Sequence, residues 1–396
     1  MPDRTSSLRL LWLCGVPKSL EQKASGAGRD LGATSDWSWI VAHFPPPDGV
    51  ELHVACPSKY ITESIEIEHR HAHFHVFPCM RGAAYSLYRS WLPGFRRLYE
   101  EIRPDWVHGW GTEAGFGSAA LSLTSDRSIV EIQGILSDYY PHLPKSLPLW
   151  FSVLNERITL GKATRLLAES EYSAREIKKY ASGKVGVISQ PLRDDFLQTG
   201  PGQINKNQIV FLGELADRKG VKDAVRAFAS GAPNDWNLSC VGCGAAKYEQ
   251  EIKQLAQELK VENRVRMCGV LSSGEIVSLF QESPVFLLPS YMDTGPTALK
   301  EALAMGLWPV CYDNSGPREL IGSYHWGSLS ETGNIPSLAE NLRKTLTDRP
   351  WEQSARRRGC VEGIRHDLSR QTIWKQLLDC YTEEYWTRFT SVPHGR

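Results

Sequence analysis

The stretch VFLLPSYMDTGPTALKEALAMGLWPV, residues 285–310, decides the fold class. An apolar run of strand length opens it, and Gly295 and Pro296 then mark a turn into a segment with helical spacing of apolar residues. A further apolar run follows the helix. Two acids, Asp293 and Glu301, stand eight positions apart around the turn. A strand, a turn, a helix and a second strand in this order predict a parallel α/β sheet.

The same alternation of strand and helix runs through the rest of the chain. Between the later apolar runs, apolar residues recur at helical spacing, as Val221, Val225 and Phe228 do. We therefore predict an α/β protein with two Rossmann-like, doubly wound parallel-sheet domains that face one another across a ligand cleft. The candidate strands lie at 8–14, 51–58, 74–79, 106–110, 129–134, 165–170, 185–189, 208–214, 237–242, 264–269, 285–290 and 308–313.

The length of the chain and a polar segment near its middle indicate two domains. With 396 residues it is long enough for two cores of ordinary size. We interpret the polar segment 191–207 as a linker between an N-terminal domain, 1–190, and a C-terminal domain, 208–368. The remainder, 369–396, carries an apolar helical pattern over about 370–388, which we expect to pack back toward the N-terminal domain.

Composition excludes some function classes. The 45 basic and 45 acidic residues cancel, which argues against a nucleic-acid partner. The apolar run at 8–14 is too short to span a bilayer and lacks a small-residue cleavage site, so we interpret it as a first strand. Nine scattered cysteines, an odd number, favour reduced thiols and a cytoplasmic location.

The turn before the helix suits an anion. Proline is tolerated in a first helical turn, whose exposed N–H groups and dipole can bind a phosphate or diphosphate. Thr297 and Glu301 lie one turn apart on one helix face. Eight residues at helical rise span at most ~12 Å, comparable to the separation of the two sugars of a nucleotide diphosphate-sugar. Asp293 and Glu301 could then bind the hexose and the ribose; two solvated surface acids are the alternative.

These residues match a known family. Asp293-x7-Glu301 in its context resembles the E-x7-E signature of retaining GT-B glycosyltransferases of family 4. The resemblance continues through 212–228, 241–256 and 265–290, and more loosely through 103–115, 129–136 and 166–180. It implies the GT-B fold, with the nucleotide-sugar donor bound by the C-terminal domain and the acceptor by the N-terminal domain.

The resemblance also implies roles for donor-site residues. Lys219 holds the position of a diphosphate-binding lysine, and backbone atoms near Val270 hold that of the nucleobase contact. The family usually has an arginine where this chain has Glu214. Arg218 either substitutes for that arginine or is an exposed helix-leading residue. The resemblance thus implies the catalytic residues Asp293, Lys219 and Gln133, and the donor-binding residues Glu301, Arg218, Gly295, Pro296, Thr297 and Val270.

A second departure concerns the N-terminal domain. Family members commonly carry a histidine that touches the donor sugar, and Gln133 stands in that position. An amide can hold a hydroxyl but cannot shuttle a proton. A retaining reaction tolerates this, because the leaving phosphate oxygen takes the proton. His108 and Glu113 end another strand and fit either a site or packing.

The resemblance predicts a hexosyltransferase that acts with retention on a hydroxyl of a glycan or lipid-linked acceptor, in polysaccharide biosynthesis. It predicts no cofactor and no metal, because the donor is the substrate and no Asp-x-Asp occurs. A cytoplasmic enzyme with peripheral contact at the inner face of the membrane fits this chemistry. A non-catalytic nucleotide-sugar binder and a GT-B sugar-nucleotide epimerase stay open as alternatives.

Three other patterns receive a structural interpretation. Alternating histidines, at His69, His71, His73 and His75, would share one face of a strand, but one strand cannot enclose a tetrahedral ion. The lone Cys240-x-x-Cys243 ends a buried strand and lacks a second pair. The basic amphipathic segment 91–98 fits a helix covering its own sheet better than a membrane contact.

Overall fold

The computed structural model describes residues 7–17, 20, 44–143 and 145–389, which form two compact units. The described residues up to Gln190, together with those from Arg370 onwards, form the first unit, and Pro191–Ser369 form the second. Among the described residues, no helix combines the length and hydrophobicity that a membrane span requires.

The first unit is built on an eight-stranded sheet within the described chain, in the order β3-β4-β2-β1-β5-β6-β7-β8. All neighbouring strands are parallel except β3 and β4. The strands are β1 (Leu8–Leu13), β2 (Val50–Ser58), β3 (Ile65–His69), β4 (Ala72–Pro78), β5 (Trp106–Trp110), β6 (Ser128–Ile132), β7 (Arg165–Ala168) and β8 (Lys184–Val187). The helices are α1 (Leu92–Ile102), α2 (Phe116–Leu123), α3 (Leu136–Tyr139), α4 (Leu147–Lys162) and α5 (Glu171–Ile177).

Helix α1 covers the sheet with its apolar face. Phe95, Leu98 and Ile102 recur at helical spacing, and all three are buried in a cluster with residues of β1 and β5. Pro93 stands in the first turn, where its missing N–H breaks no helical bond. The predicted amphipathic segment therefore packs on its own sheet.

A hairpin interrupts the row of alternating histidines. His69 ends β3, His71 occupies the turn with a φ of 65°, and Ala72 begins the antiparallel strand β4. The prediction of one strand face for the row is wrong, because a tight turn reverses the chain within it. His75 instead contacts His53 of β2, at 3.0 Å between ring nitrogens. Within the described ranges, no group of three or more candidate ligands could hold a metal ion.

The second unit has a six-stranded parallel sheet over its described length, in the order β11-β10-β9-β12-β13-β14. This is the doubly wound order of dinucleotide-binding domains, and its direction reverses between β9 and β12. The strands are β9 (Gln208–Leu212), β10 (Asn237–Val241), β11 (Val265–Gly269), β12 (Val285–Leu288), β13 (Trp308–Tyr312) and β14 (Ser328–Ser330). The helices are α6 (Asp194–Gln198), α7 (Val221–Gly231), α8 (Ala246–Glu258), α9 (Ser273–Glu282), α10 (Thr297–Ala304), α11 (Ser315–Tyr324), α12 (Ile335–Asp348) and α13 (Ser354–Asp367).

Two segments outside the sheets are more ordered than their sequences suggest. The segment predicted as a linker contains α6, whose Phe196 is fully buried within the second unit. The final helical pattern forms two helices, α14 (Arg370–Cys380) and α15 (Glu383–Thr387), which belong to the first unit. The break falls at Thr382, whose side chain caps α15 by accepting from the Tyr385 N–H.

Candidate active site

The reversal point of the second sheet brings Lys219 to Asp293. Lys219 lies in the loop after β9 and Asp293 in the loop after β12, and their side chains form an ion pair that is largely buried. Ligands of doubly wound sheets bind outside the carboxyl ends of the strands at this reversal. The two residues that the sequence singles out therefore meet where a ligand is expected.

Glycine allows the two loops to approach closely. Gly220 has a φ of 70°, and a Cβ built there would lie 1.9 Å from the Pro289 carbonyl oxygen. The Tyr291 N–H donates to the Arg218 carbonyl at 2.9 Å, which ties the loops together beside the ion pair. No other residue type fits this contact without moving the backbone.

The start of α11 holds the Asp293 loop. The Ser315 hydroxyl donates to the Asp293 carbonyl at 2.7 Å, and the Gly316 N–H donates to the same oxygen at 2.9 Å. A guanidinium nitrogen of Arg218 donates to the Met292 carbonyl at 3.2 Å. The backbone around Asp293 is therefore fixed from both sides before any ligand binds.

Helix α10 begins at Thr297, in the same loop as Asp293. Pro296 is its N-cap residue and Thr297 its first residue, and no side chain caps the end. The Pro296 carbonyl accepts from the N–H groups of Leu299 and Lys300. Exposed amides at a helix N-terminus, with the positive end of the dipole, favour an anion such as a diphosphate. Gly295 lies half-buried immediately before the cap.

Glu301 lies in the second turn of α10 and is buried, with only 2% of its surface exposed. Arg193, which precedes α6, donates from Nε to its Oε1 at 2.7 Å. Burial raises the pKa of the Glu301 carboxyl, and the charges of Arg193 and Lys300 act in the opposite direction. The acid predicted for the ribose is therefore paired in this structure.

The remaining donor-site predictions concern Glu214, Arg218 and Val270. Glu214 is exposed, and its carboxylate lies 3.6 Å from the Arg218 guanidinium. Arg218 is thus engaged by Glu214 and by the Met292 carbonyl rather than extended into solvent. Val270 follows β11 and is exposed.

Gln133 lies in the first unit, after β6, in a hydrogen-bonded chain. Its amide nitrogen donates to Glu131 at 2.9 Å, and its carbonyl oxygen accepts from Gln190. The Glu131 carboxylate lies 3.2 Å from Nε2 of His108, whose Nδ1 contacts the Tyr381 hydroxyl at 2.7 Å. His108 is fully buried, which lowers its pKa to about 3 despite the nearby carboxylate. These contacts favour packing as the role of His108.

Glu113 follows β5 and faces two glycines. Its Oε2 would lie 2.7 Å from a Cβ at Gly111, and its Oε1 would lie 3.3 Å from a Cβ at Gly134. Burial raises the pKa of its carboxyl to about 7, and the charges of Glu156 and Glu169 add to this. A carboxyl that titrates near neutrality at the end of a parallel strand has the properties of a site residue.

Several residues of the site escaped the sequence analysis. Arg193 and Ser315 hold the two acids, and Glu131 orients Gln133, but none of the three belongs to a motif. Ser315 could have been found from its position at the start of a helix after β13, since strand-to-helix loops share the carboxyl edge of the sheet. No local signal marks Arg193.

Two protein-family models match the chain. The model described as Glycosyltransferase Family 4 matches residues 42–195. The model described as Glycosyl transferases group 1 matches residues 198–361. The two matches together span most of the chain, one in its N-terminal part and one in its C-terminal part.

Curated relatives are distant and match in part. The 2-deoxystreptamine N-acetyl-D-glucosaminyltransferase of Niallia circulans is 24% identical over 46% of each chain. The capsular polysaccharide biosynthesis glycosyltransferase CapM of Staphylococcus aureus is 19% identical, over 78% of this chain and 84% of its own. This chain spans about half the length of the first curated relatives it matches.

Solved structures share the fold. Sucrose-phosphate synthase of Thermosynechococcus elongatus superposes with a TM-score of 0.75 at 14% identity, covering 94% of this chain and 98% of that one. Anabaena HepE in complex with UDP superposes with a TM-score of 0.67 at 16% identity, covering 94% and 99%. At such identities the likeness concerns the fold alone. The predicted pair of doubly wound parallel-sheet domains is confirmed.

Proposed function

This chain belongs to glycosyltransferase family 4, of the GT-B fold, and we propose that it transfers a hexose from a nucleotide diphosphate-sugar to a hydroxyl of a glycan or lipid-linked acceptor, with retention. Relatives named for colanic acid, teichuronic acid and capsular polysaccharide synthesis support a role in polysaccharide biosynthesis. The proposed location is the cytoplasm, at the inner face of the membrane.

One observation carries the donor assignment: Lys219 meets Asp293 at the reversal of the second sheet, just before the uncapped start of α10. In the proposed reaction, the donor diphosphate draws Lys219 away from Asp293 and lies against the α10 amides. Asp293 then accepts hexose hydroxyls, and Lys219 neutralises the charge that grows as the glycosidic bond breaks. HepE was solved with UDP and with UDP-glucose, which supports this ligand class.

The remaining donor contacts follow from the same placement. Glu301 accepts the ribose diol, and backbone atoms near Val270 contact the nucleobase. Lys219 and the α10 amides take the part that a metal clamp has in other transferases, so the reaction needs no cofactor. Gln133 holds a sugar hydroxyl without moving a proton, and the leaving phosphate oxygen accepts the proton of the attacking hydroxyl.

An exposed apolar patch in the first unit supports a lipid-linked acceptor. Tyr85 and Trp150 both contact the ring of Phe151, at centroid distances of 5.7 and 5.1 Å, and Leu147 lies one turn before it. Tyr85, Leu147 and Trp150 are all exposed. Exposed aromatic side chains suit the membrane–water interface. We expect the protein to float with phospholipid vesicles and Trp150→Ala to float less; equal flotation would remove this support.

Turnover of nucleotide-sugars tests the proposal. The protein is incubated with UDP-, GDP- and ADP-hexoses and a panel of glycan and lipid-linked acceptors. Mass spectrometry follows the product, and NMR gives its anomeric configuration. We expect one donor to be consumed with its configuration kept, and Asp293→Asn to lower turnover roughly 100-fold. Asp348→Asn, an exposed acid of the same unit, is the control and should stay within about twofold.

A non-catalytic nucleotide-sugar binder is the second candidate. Glu214 in place of the usual arginine and Gln133 in place of the usual histidine favour it. Such a protein would bind a nucleotide-sugar and consume none of the donors in the panel. An inverted product would contradict retention, and an epimerised donor formed without an acceptor would identify an epimerase instead.

A further inference from the structure

We propose that Arg193 is a positioning residue for the donor: it holds the Glu301 carboxylate charged and in a fixed orientation for the ribose diol. The inference rests on the proposed function, because it concerns the residue assigned there to the ribose. It assigns a role in donor binding to a residue that lies outside every motif of the sequence.

Arg193 and Glu301 form a short, directional ion pair. Nε of Arg193 donates to Oε1 of Glu301 at 2.7 Å, and the arginine side chain keeps a quarter of its surface exposed, whereas the carboxylate is buried. The bond engages one carboxylate oxygen. Because an ionised carboxylate has about four acceptor positions, it retains the capacity to accept both hydroxyls of a diol.

Arg193 is itself held in place. Its guanidinium lies 4.9 Å from the centroid of the fully buried Phe196 ring. Its carbonyl accepts the first backbone bond of α6, from the Phe196 N–H at 3.0 Å. The preceding Leu192 N–H donates to the Leu368 carbonyl at the end of α13. A side chain anchored in this way can orient its partner, since little of its freedom remains to be lost on binding.

The charge of the pair matters for binding. Burial favours the protonated form of Glu301, and the Arg193 charge opposes it most strongly. Lys300 acts in the same direction as Arg193 from α10 itself. From α13, Arg365 donates to the Ala304 carbonyl at the end of α10, and Arg357 donates to the Gly306 carbonyl just beyond it. An ionised carboxylate accepts hydroxyl bonds more strongly than a protonated one, so loss of Arg193 should weaken the ribose contact.

The test is a titration of the full-length protein with UDP, GDP and ADP at pH 6 and pH 8. Arg193→Gln leaves Glu301 without its main cation, so its pKa rises and protonation at the lower pH weakens binding. We expect Arg193→Gln to bind its preferred nucleotide ~10-fold more weakly than wild type at pH 6, and the loss relative to wild type to be smaller at pH 8. The comparison is made with wild type at each pH, because the terminal phosphate of the nucleotide itself titrates at about pH 6. Glu301→Gln should bind weakly at both pH values.

A double variant isolates the coupling between the two residues. If Arg193 acts through Glu301, Arg193→Gln should weaken binding no further in a Glu301→Gln background. Arg349→Gln is the control, because it breaks a 3.0 Å arginine–carboxylate pair with Glu352, which follows α12 in the same unit. Its binding should equal that of wild type.

The outcomes separate this inference from the proposed function. The inference is overturned if Arg193→Gln binds as wild type does at both pH values, or if the losses add in the double variant. If Lys219→Ala still weakens binding in that case, the proposed donor site stands. A wild-type protein that binds none of the three nucleotides would overturn both. Arg193→Lys keeps the charge and is the second variant if Arg193→Gln does not fold. Its affinity relative to wild type should be the same at pH 6 and pH 8, and a larger loss at pH 6 would contradict the role.

Discussion

At the scale of single residues, Glu113 shows how placement changes chemistry. Its carboxylate faces Gly111 and Gly134, where any side chain would crowd it, and burial raises its pKa to about 7. The folded protein therefore prefers Glu113 protonated, and this preference weakens the fold as pH rises from about 4.5 through 7. Such a cost is typical of a position kept for function rather than stability.

We expect Glu113→Gln to raise the free energy of unfolding by about 2 kcal/mol at pH 8 and to leave it nearly unchanged at pH 4.5, because the amide carries no charge to desolvate. Urea unfolding at the two pH values measures this. Glu63→Gln, an exposed acid of the same unit, should show no such difference. An equal effect of Glu113→Gln at both pH values would show that the pKa of the Glu113 carboxyl is not raised.

Gly220 is the residue that permits the two donor-site loops to touch. We expect Gly220→Ala to cost about 2–4 kcal/mol of stability, because the methyl group collides with the Pro289 carbonyl and the φ of 70° is strained. Gly274→Ala in α9 is the matched control, since nothing lies within 4 Å of its Cβ position and alanine favours a helix. Thermal unfolding of both variants gives the comparison; equal melting temperatures would contradict the close approach.

At the scale of elements, the buried strands are predictable from the sequence, but the turn and the helix break that interrupt a regular pattern are not. The apolar runs of β9 and β12 mark strands because both faces of a parallel sheet are buried. The hairpin at His71 has no glycine or asparagine to mark it, so the alternating histidines imitate one continuous strand. The break at Thr382 is similarly hidden, because apolar spacing continues across it.

The residues of the candidate site also include some that the sequence predicts and some that it does not. Lys219 and Asp293 were predicted because each lies in a motif, and the order of the strands brings them together. The partner of Glu301 was not predicted, because Arg193 is 108 residues away in the chain and meets it only after α6 docks. Pairing of this kind is set by tertiary packing, which local sequence patterns do not encode.

A buried carboxylate ties α4 to the start of α3. Glu156 of α4 accepts from the N–H groups of Leu136 and Ser137, at 3.0 and 2.7 Å, and from the Thr112 hydroxyl. We expect Glu156→Ala to cost about 3 kcal/mol, because two buried N–H groups lose their partner. Denaturant unfolding tests this, and a loss below about 0.5 kcal/mol would mean that water replaces the carboxylate.

At the scale of the whole molecule, the first unit is completed by the end of the chain. Trp374 of α14 stacks on Trp12 and on Phe44, and its indole N–H donates to the Pro45 carbonyl at 2.9 Å. Tyr381 accepts from the Trp12 indole and contacts His108. The core of the first unit therefore includes residues that follow the entire second unit in sequence.

This topology predicts a strong effect from a distant substitution. We expect Trp374→Ala to lower the stability of the first unit by about 3–5 kcal/mol, as large-to-small changes in cores do. Trp150→Ala, which removes an indole that is 47% exposed, should cost less than about 1 kcal/mol. Hydrogen exchange measures the two units separately. In Trp374→Ala, the amides of the first unit should be less protected than in wild type; unchanged protection there would contradict the place of Trp374 in that core.

The most direct test of the donor site is a calorimetric titration of UDP, GDP and ADP into wild type and Lys219→Ala. A lysine that binds the diphosphate contributes a charge-assisted contact, so Lys219→Ala should weaken binding of the preferred nucleotide at least ~10-fold. Lys206→Ala, an exposed lysine of the same unit, should bind as wild type does. Equal dissociation constants for wild type and Lys219→Ala would contradict a diphosphate site at the reversal of the second sheet.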